Sequence, residues 1–216
     1  MENCNARNTI YPKCSGPSLP LPSHIKDECR KEGFNHAAFR LLDWPVFAPI
    51  TSIRVLDLDE DTHQPQWTAL FRDGEPHHPV TQEPARNPPV SRMRIVINAS
   101  IGAGGWQSFR VPGRRPAPLV IANHDGAPVT VAQFVREFAS YAQRHHDKLA
   151  NVLGTTQNPV YYALCHHRAD EYEIYIAPED DAARRQRWAN FTRELQVELR
   201  SRQDEAAVQL LRQLVL

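Results

Sequence analysis

The chain carries no net charge: 25 Lys and Arg balance 25 Asp and Glu over 216 residues, and the pI is near 7.2. A sequence-independent nucleic-acid binder needs a clustered cationic face to displace counterions from phosphates. No long basic run supplies one, so nucleic acid is not expected as a partner. Lysine is scarce, 4 against 21 arginines, but the arginines are interspersed with Asp and Glu, as biased base composition would leave them. No apolar run approaches the roughly 18 residues that span a bilayer. The stretch Met1-Glu2-Asn3-Cys4-Asn5-Ala6-Arg7 lacks the apolar core of a secretory signal. The expectation is a soluble intracellular protein, cytoplasmic by default, with no membrane partner. Cysteine is sparse as well. Cys4, Cys14, His24 and Cys29 are of zinc-ligating type, yet none forms the short Cys-x2-4-Cys knuckle of a structural zinc site. Without an export signal, disulfides among them are not expected. Neither a metal nor a cofactor is expected. Asn98-Ala99-Ser100 and Asn190-Phe191-Thr192 fit the glycosylation sequon but fall on an expected strand and helix, and read as chance matches.

What is present is clearest between Glu83 and Leu149. Met93, Ile95 and Ile97 alternate with Arg94, Val96 and Asn98, the period of a half-buried strand. Gly102-Ala103-Gly104-Gly105 can take positive φ and precedes Trp106-Gln107-Ser108-Phe109-Arg110-Val111, so a hairpin is expected there. The glycines resemble a phosphate-cradling loop, but they separate two strands rather than opening a helix, and read as a turn. Leu119-Val120-Ile121-Ala122 is a third apolar run, closed by the His124-Asp125-Gly126 turn. Thr130 then caps a helix: its hydroxyl faces the third helical amide, and Gln133 is placed to reach back to the cap. Val131, Phe134, Phe138, Tyr141, His145 and Leu149 recur at steps of three and four, predicting one apolar stripe against the sheet and a stop at Gly154.

The remaining chain organises around that segment. Residues 1–34, with Pro12, Pro17, Pro20 and Pro22, show no periodicity and read as an irregular proline-rich arm. His36 to Leu42 predicts a short helix. Ile53 to Leu58 predicts a strand of mixed faces, with Asp57 beside Ile53 and Val55, and Arg54 beside Leu56 and Leu58. Asp59 to Pro89, polar and rich in proline, reads as a long surface loop. Val160 to Cys165 and Tyr172 to Ile176 predict a second hairpin. Beyond Pro178 the acids Glu179, Asp180 and Asp181 favour a helix start. Trp188, Phe191, Leu195, Leu199, Ala206, Leu210 and Leu214 extend an amphipathic stripe over residues 179–216. Packing on the chain's own sheet is the simpler fate of that helix. Projection would call for a protein partner or a homodimer through residues 181–214. The expected class is α+β, a small mostly antiparallel sheet with one packed amphipathic helix and a long C-terminal helix. Residues 35–178 form its domain.

Chemistry-bearing residues cluster at Cys165-His166-His167-Arg168-Ala169-Asp170, where a thiol, two imidazoles and a carboxylate share one expected loop. These types suit a nucleophilic thiol with a base, or a His/His/Asp metal site. Against this, neighbouring histidines point apart, and a thiol ending an apolar strand packs inertly. The histidine pair resembles the double-histidine signature of acyl-condensing enzymes, but Asp170-Glu171 stands where Asp-Gly should follow. His145-His146-Asp147 lies on the capped helix at neighbour spacing rather than the i,i+4 spacing ligands want, so His145 reads as a core or boundary residue. Trp106, Phe109, Phe138 and Tyr141 have the types to line a cavity between sheet and helix, though such spacing more often means core. Pro17-Ser18-Leu19-Pro20 and Arg114-Arg115-Pro116-Ala117-Pro118 fit polyproline ligands, a pattern common by chance.

Three segments together resemble a known family: Glu83-Pro84-Ala85-Arg86-Asn87-Pro88-Pro89-Val90-Ser91-Arg92-Met93-Arg94-Ile95, then Trp106 to Val111, then Val129-Thr130-Val131-Ala132-Gln133-Phe134-Val135. They look like the fungal domain of unknown function numbered 6699, abundant in basidiomycetes, over roughly residues 36–150. The insertion from Pro112 to Ile121 and the terminal helix depart from its pattern. The resemblance implies a small α+β fold in a fungal protein and carries over no catalytic residue. Two functional expectations follow. One is a non-enzymatic protein-interaction module. The other is a hydrolase or transferase using Cys165, His166, His167 and Asp170, with or without a metal.

Overall fold

The structure, a computed structural model, describes residues 33–59, 64–99, 116–153, 159–168 and 171–214. Strand β1 (Gly33–Phe34) opens the domain and leads through an Asn35-capped turn of helix, α1 (His36–Phe39), into β2 (Leu42–Asp43). β3 (Arg54–Leu58) and β4 (Pro65–Ala69) complete a three-stranded antiparallel sheet in the order β2-β3-β4. A short hairpin, β5 (Phe71–Arg72) with β6 (Glu75–Pro76), follows. Then come a 3-10 turn at Pro79–Gln82 and β7 (Arg86–Asn87), which pairs with β1. The main sheet holds β8 (Arg92–Ala99), β9 (Leu119–Ala122), β10 (Val160–Arg168) and β11 (Glu171–Pro178) in the order β10-β11-β8-β9. Its helices are α2 (Val131–Arg144), α3 (His146–Leu153) and the 34-residue α4 (Asp181–Leu214). The architecture is α+β with a long C-terminal helix.

Met93, Ile95 and Ile97 of β8 are buried in the core as expected, but Val96, on the opposite face and outside that core, is buried too, so the strand is not half-exposed there. β9 lies antiparallel to β8, with Leu119 opposite Ile95. β11 runs parallel to β8, because α2 and α3 intervene and carry the chain back across the sheet. β10 and β11 form the expected second hairpin. The expected Gly102–Gly105 turn and the Trp106–Val111 strand lie outside the described residues, as do residues 1–32 and Gly154.

Thr130 caps α2, its Oγ1 accepting from the Gln133 N–H at 3.2 Å. The Gln133 side chain does not reach back. Its amide instead pairs reciprocally with Asn123, donating at 2.7 Å and accepting at 3.0 Å, so the cap residue's neighbour ties the helix to the preceding turn. Phe134 and Phe138 enter an aromatic cluster with Phe34, Phe39 and Trp44, and Trp44 stacks on Tyr162 at 5.4 Å. Each such side chain contributes roughly 1.5–3 kcal/mol of burial before entropy, which explains why this stripe, rather than local propensity, seats the helix. The helix does not run unbroken to Leu149. At His145 the N–H is shared between the carbonyls of Tyr141 and Ala142, both at 3.2 Å, and α3 begins afresh at His146, against which Phe47 packs edge-on.

The segment from Asp59 to Pro89 is corrected by the structure. Its described part contains β4 to β7 and sends Leu70, Phe71, Val80 and Ala85 into the core. Proline misled here because it sits where a strand tolerates it: Pro65 begins β4, Pro76 ends β6 and Pro79 opens the 3-10 turn, none of them needing a ladder N–H.

The mixed faces of β3 also gain a reason. Val55 and Leu42, paired across the strands, join the main core. On the opposite face Leu56, opposite Trp67, is equally buried but outside that core. β3 is thus buried on both faces at Val55 and Leu56, so it shows no clean alternation.

Candidate functional site

The expected Cys165–Asp170 loop is mostly strand. β10 continues through Arg168, setting His166 opposite Glu173 and His167 opposite Tyr172 in the ladder. Asp170 lies outside the described residues. Cys165, opposite Ile174, is fully buried within the core cluster. Burial, and secondarily the negative charge of Glu173, pushes its thiol well above the ordinary range. A thiolate is therefore strongly disfavoured at neutral pH, and with it nucleophilic attack from this position. Among the described residues no three His, Cys, Asp or Glu side chains converge as a metal site.

One imidazole–carboxylate pair went unnoticed in the sequence. His78 Nε2 lies 2.9 and 3.1 Å from the two oxygens of Asp57, while its Nδ1 accepts from the Val80 N–H at 3.1 Å. Since Nδ1 accepts, Nε2 carries the proton and donates to Asp57. Both ring nitrogens are committed, which makes the pair a clamp between β3 and the 3-10 turn and not a base. Asp57 sharing a strand face with Ile53 and Val55 was its only trace in the sequence. His145 is a half-buried boundary residue packed edge-on to Tyr141 at 4.7 Å. Burial first, then Lys148 and Arg144, holds its pKa below the usual value. Of the four aromatics considered as cavity lining, Phe138 and Tyr141 are core residues, and Trp106 and Phe109 lie outside the described residues.

The richest side-chain constellation instead sits at the root of α4. Asp180 caps the helix, accepting from the Ala183 N–H at 2.7 Å, and Arg187 forms a two-pronged pair with Glu179 at 2.9 and 2.7 Å. Arg184 reaches Asp43 of β2, donating from Nε to Oδ1 at 3.0 Å and from Nη2 to Oδ2. That carboxylate, almost wholly buried, also accepts from Arg54 Nη2 at 2.6 Å. Aromatic rings continue the contact. The Arg184 guanidinium lies 4.7 Å from the Tyr161 ring and that of Arg54 4.9 Å from Trp67. Trp67 meets Trp188 edge-on at 4.7 Å, and Arg40 lies over Phe191 at 5.3 Å. Trp188 and Phe191 were legible as a stripe, but the Asp43 anchor was not: it is a lone acid between Leu42 and Trp44.

Farther along α4, Val197 is 62% exposed. No helix among the described residues is long and apolar enough to cross a membrane. Compared with protein-family models, with curated proteins and with solved structures, the chain has no match.

Proposed function

We propose that this chain is a non-enzymatic protein-interaction module that offers the distal part of α4 to a helical partner, either a second copy or another protein. The observation that carries this reading is length. At 1.5 Å per residue the 34 residues of α4 extend about 51 Å, whereas a compact domain the size of residues 33–178 is only about 40 Å across. The root of α4 is already docked, so its far end has no room left on the domain. Beyond the exposed Val197 the sequence keeps apolar residues at helical spacing, Leu199, Ala206, Leu210 and Leu214. A helix that continues apolar past its own domain needs a partner surface. The resemblance to the fungal domain of unknown function is compatible with such a module. The alternative, a hydrolase or transferase built on Cys165, His166, His167 and Asp170, has the buried, protonated thiol against it.

Light scattering and thermal melting of the full chain, beside a chain ending after Gln196, test the proposal. The shorter chain keeps the docked root, so its domain should melt as before. The full chain should be the larger species, with its assembly lost on truncation. A full chain as monomeric as the shorter one would sink the reading.

A further inference from the structure

The outer face of the β2-β3-β4 sheet is closed differently from the core. On the inner face Leu42 and Val55 belong to one continuous apolar cluster. On the outer face Leu56, Tyr161 and Trp188 are buried yet stand apart from that cluster. The root of α4 docks on this side through ion pairs and ring contacts, Arg184 meeting Asp43 and the Tyr161 ring and Trp188 meeting Trp67. One polar atom is left over: the Trp188 Nε1–H is buried with no acceptor among the described residues. A buried donor without a partner weakens the packing that holds it.

The counter-ions are arranged so that separation does not orphan the buried Asp43. Asp43 is held by Arg184 from the helix and also by Arg54 from the neighbouring strand. If the helix leaves, Arg54 still neutralises the carboxylate and still covers the Trp67 ring. Removing one partner of a buried pair is costly because it strands the other charge, and at Asp43 that cost is absent; Glu179 alone gives up its Arg187. Arg184 itself moves to water, where its charge is well solvated.

We propose that the root of α4 is a releasable strap: it undocks as a unit from Asp43 and Trp67 of the β2-β3-β4 sheet and from Tyr161 of β10, uncovering them, while the core beneath stays folded. The hinge is the stretch between Pro178 and Asp181. Glu179 remains fastened there through its N–H to the Pro159 carbonyl at 3.0 Å, so release begins beyond it. This device does not depend on the partner reading. It concerns the docked root, and the chain ending after Gln196 retains it.

Native-state hydrogen exchange on the full chain tests the strap. Amides from Arg184 to Phe191 should exchange at least about tenfold faster than those from Phe134 to Tyr141 in α2, because they open sub-globally. Raising salt to about 0.5 M should speed the root and leave α2 unchanged, since partly exposed ion pairs are screened. Arg184→Met should speed the root by a further factor of about two to five, again sparing α2, and Arg54 keeps Asp43 paired in that variant. A single common rate for both helices, with the same denaturant dependence, would overturn the proposal. So would root exchange indifferent to both salt and Arg184→Met. The salt series on the unaltered chain requires no variant to fold.

Discussion

Arg184 donates from Nε to the Oδ1 of Asp43 at 3.0 Å, joining residues 141 positions apart in the chain. The carboxylate is almost wholly buried and serves two guanidiniums, so it matters more than either arginine. Asp43→Ala is expected to lower unfolding free energy by about 2–4 kcal/mol, somewhat below the cost of breaking a fully buried pair because both arginines can turn toward water. Arg54→Ala should cost less, since Arg184 remains. Urea titration of the two variants checks the order, and an equal loss in both would contradict it.

At the other helix, Thr130→Ala removes the oxygen that satisfies the Gln133 N–H. The expected loss is about 1 kcal/mol, with Thr130→Ser nearly neutral because the hydroxyl survives. Because Gln133 bonds Asn123 and not the cap backbone, Gln133→Ala and Asn123→Ala should be strongly non-additive. A double-mutant cycle in chemical denaturation measures the coupling.

The Cys165 thiol, fully buried and driven toward its protonated form, should resist alkylation in the native protein at pH 8 and react only after unfolding. Mass spectrometry of the peptide bearing Cys165, after iodoacetamide treatment with and without denaturant, gives the readout. Rapid native labelling at that peptide would restore the nucleophile reading.

His145 sets the direction of one pH effect. Its pKa in the folded chain is held below the ordinary value of 6.5, so the unfolded state takes up a proton first as pH falls. Stability is therefore undiminished above pH 6.5 and declines as pH drops from there toward the lower folded value. His145→Gln should flatten that part of the stability curve. Melting temperatures between about pH 7.5 and pH 5 decide it, and an unchanged slope would show that other groups dominate.

Local signals were legible where one interaction range suffices. The Thr130 cap, the apolar stripe of α2, the core-facing residues of β8 and the hairpin of β10 and β11 each follow from spacing along a few residues. The features that escaped reading are those that depend on a distant partner. The prolines of Asp59 to Pro89 concealed strands because strand edges accept proline. Asp57 and Asp43, acids lodged in apolar runs, signalled buried partners without saying which. His166 and His167 were assigned to a loop because polar residues break a strand's pattern, whereas the ladder with β11 carries them to Arg168.

By itself the sequence determined an α+β class, a capped helix seated on a sheet and a long amphipathic C-terminal helix, since hydrophobic period and capping chemistry act within a turn or two of chain. Only the tertiary structure decided that β3 is buried on both faces, at Val55 and at Leu56. Only there does Asp43 become the anchor for Arg184, and Cys165 a core residue instead of a reactive one. Burial and charge pairing are properties of neighbours in space, and those neighbours come from segments as far apart as Leu42 and Trp188.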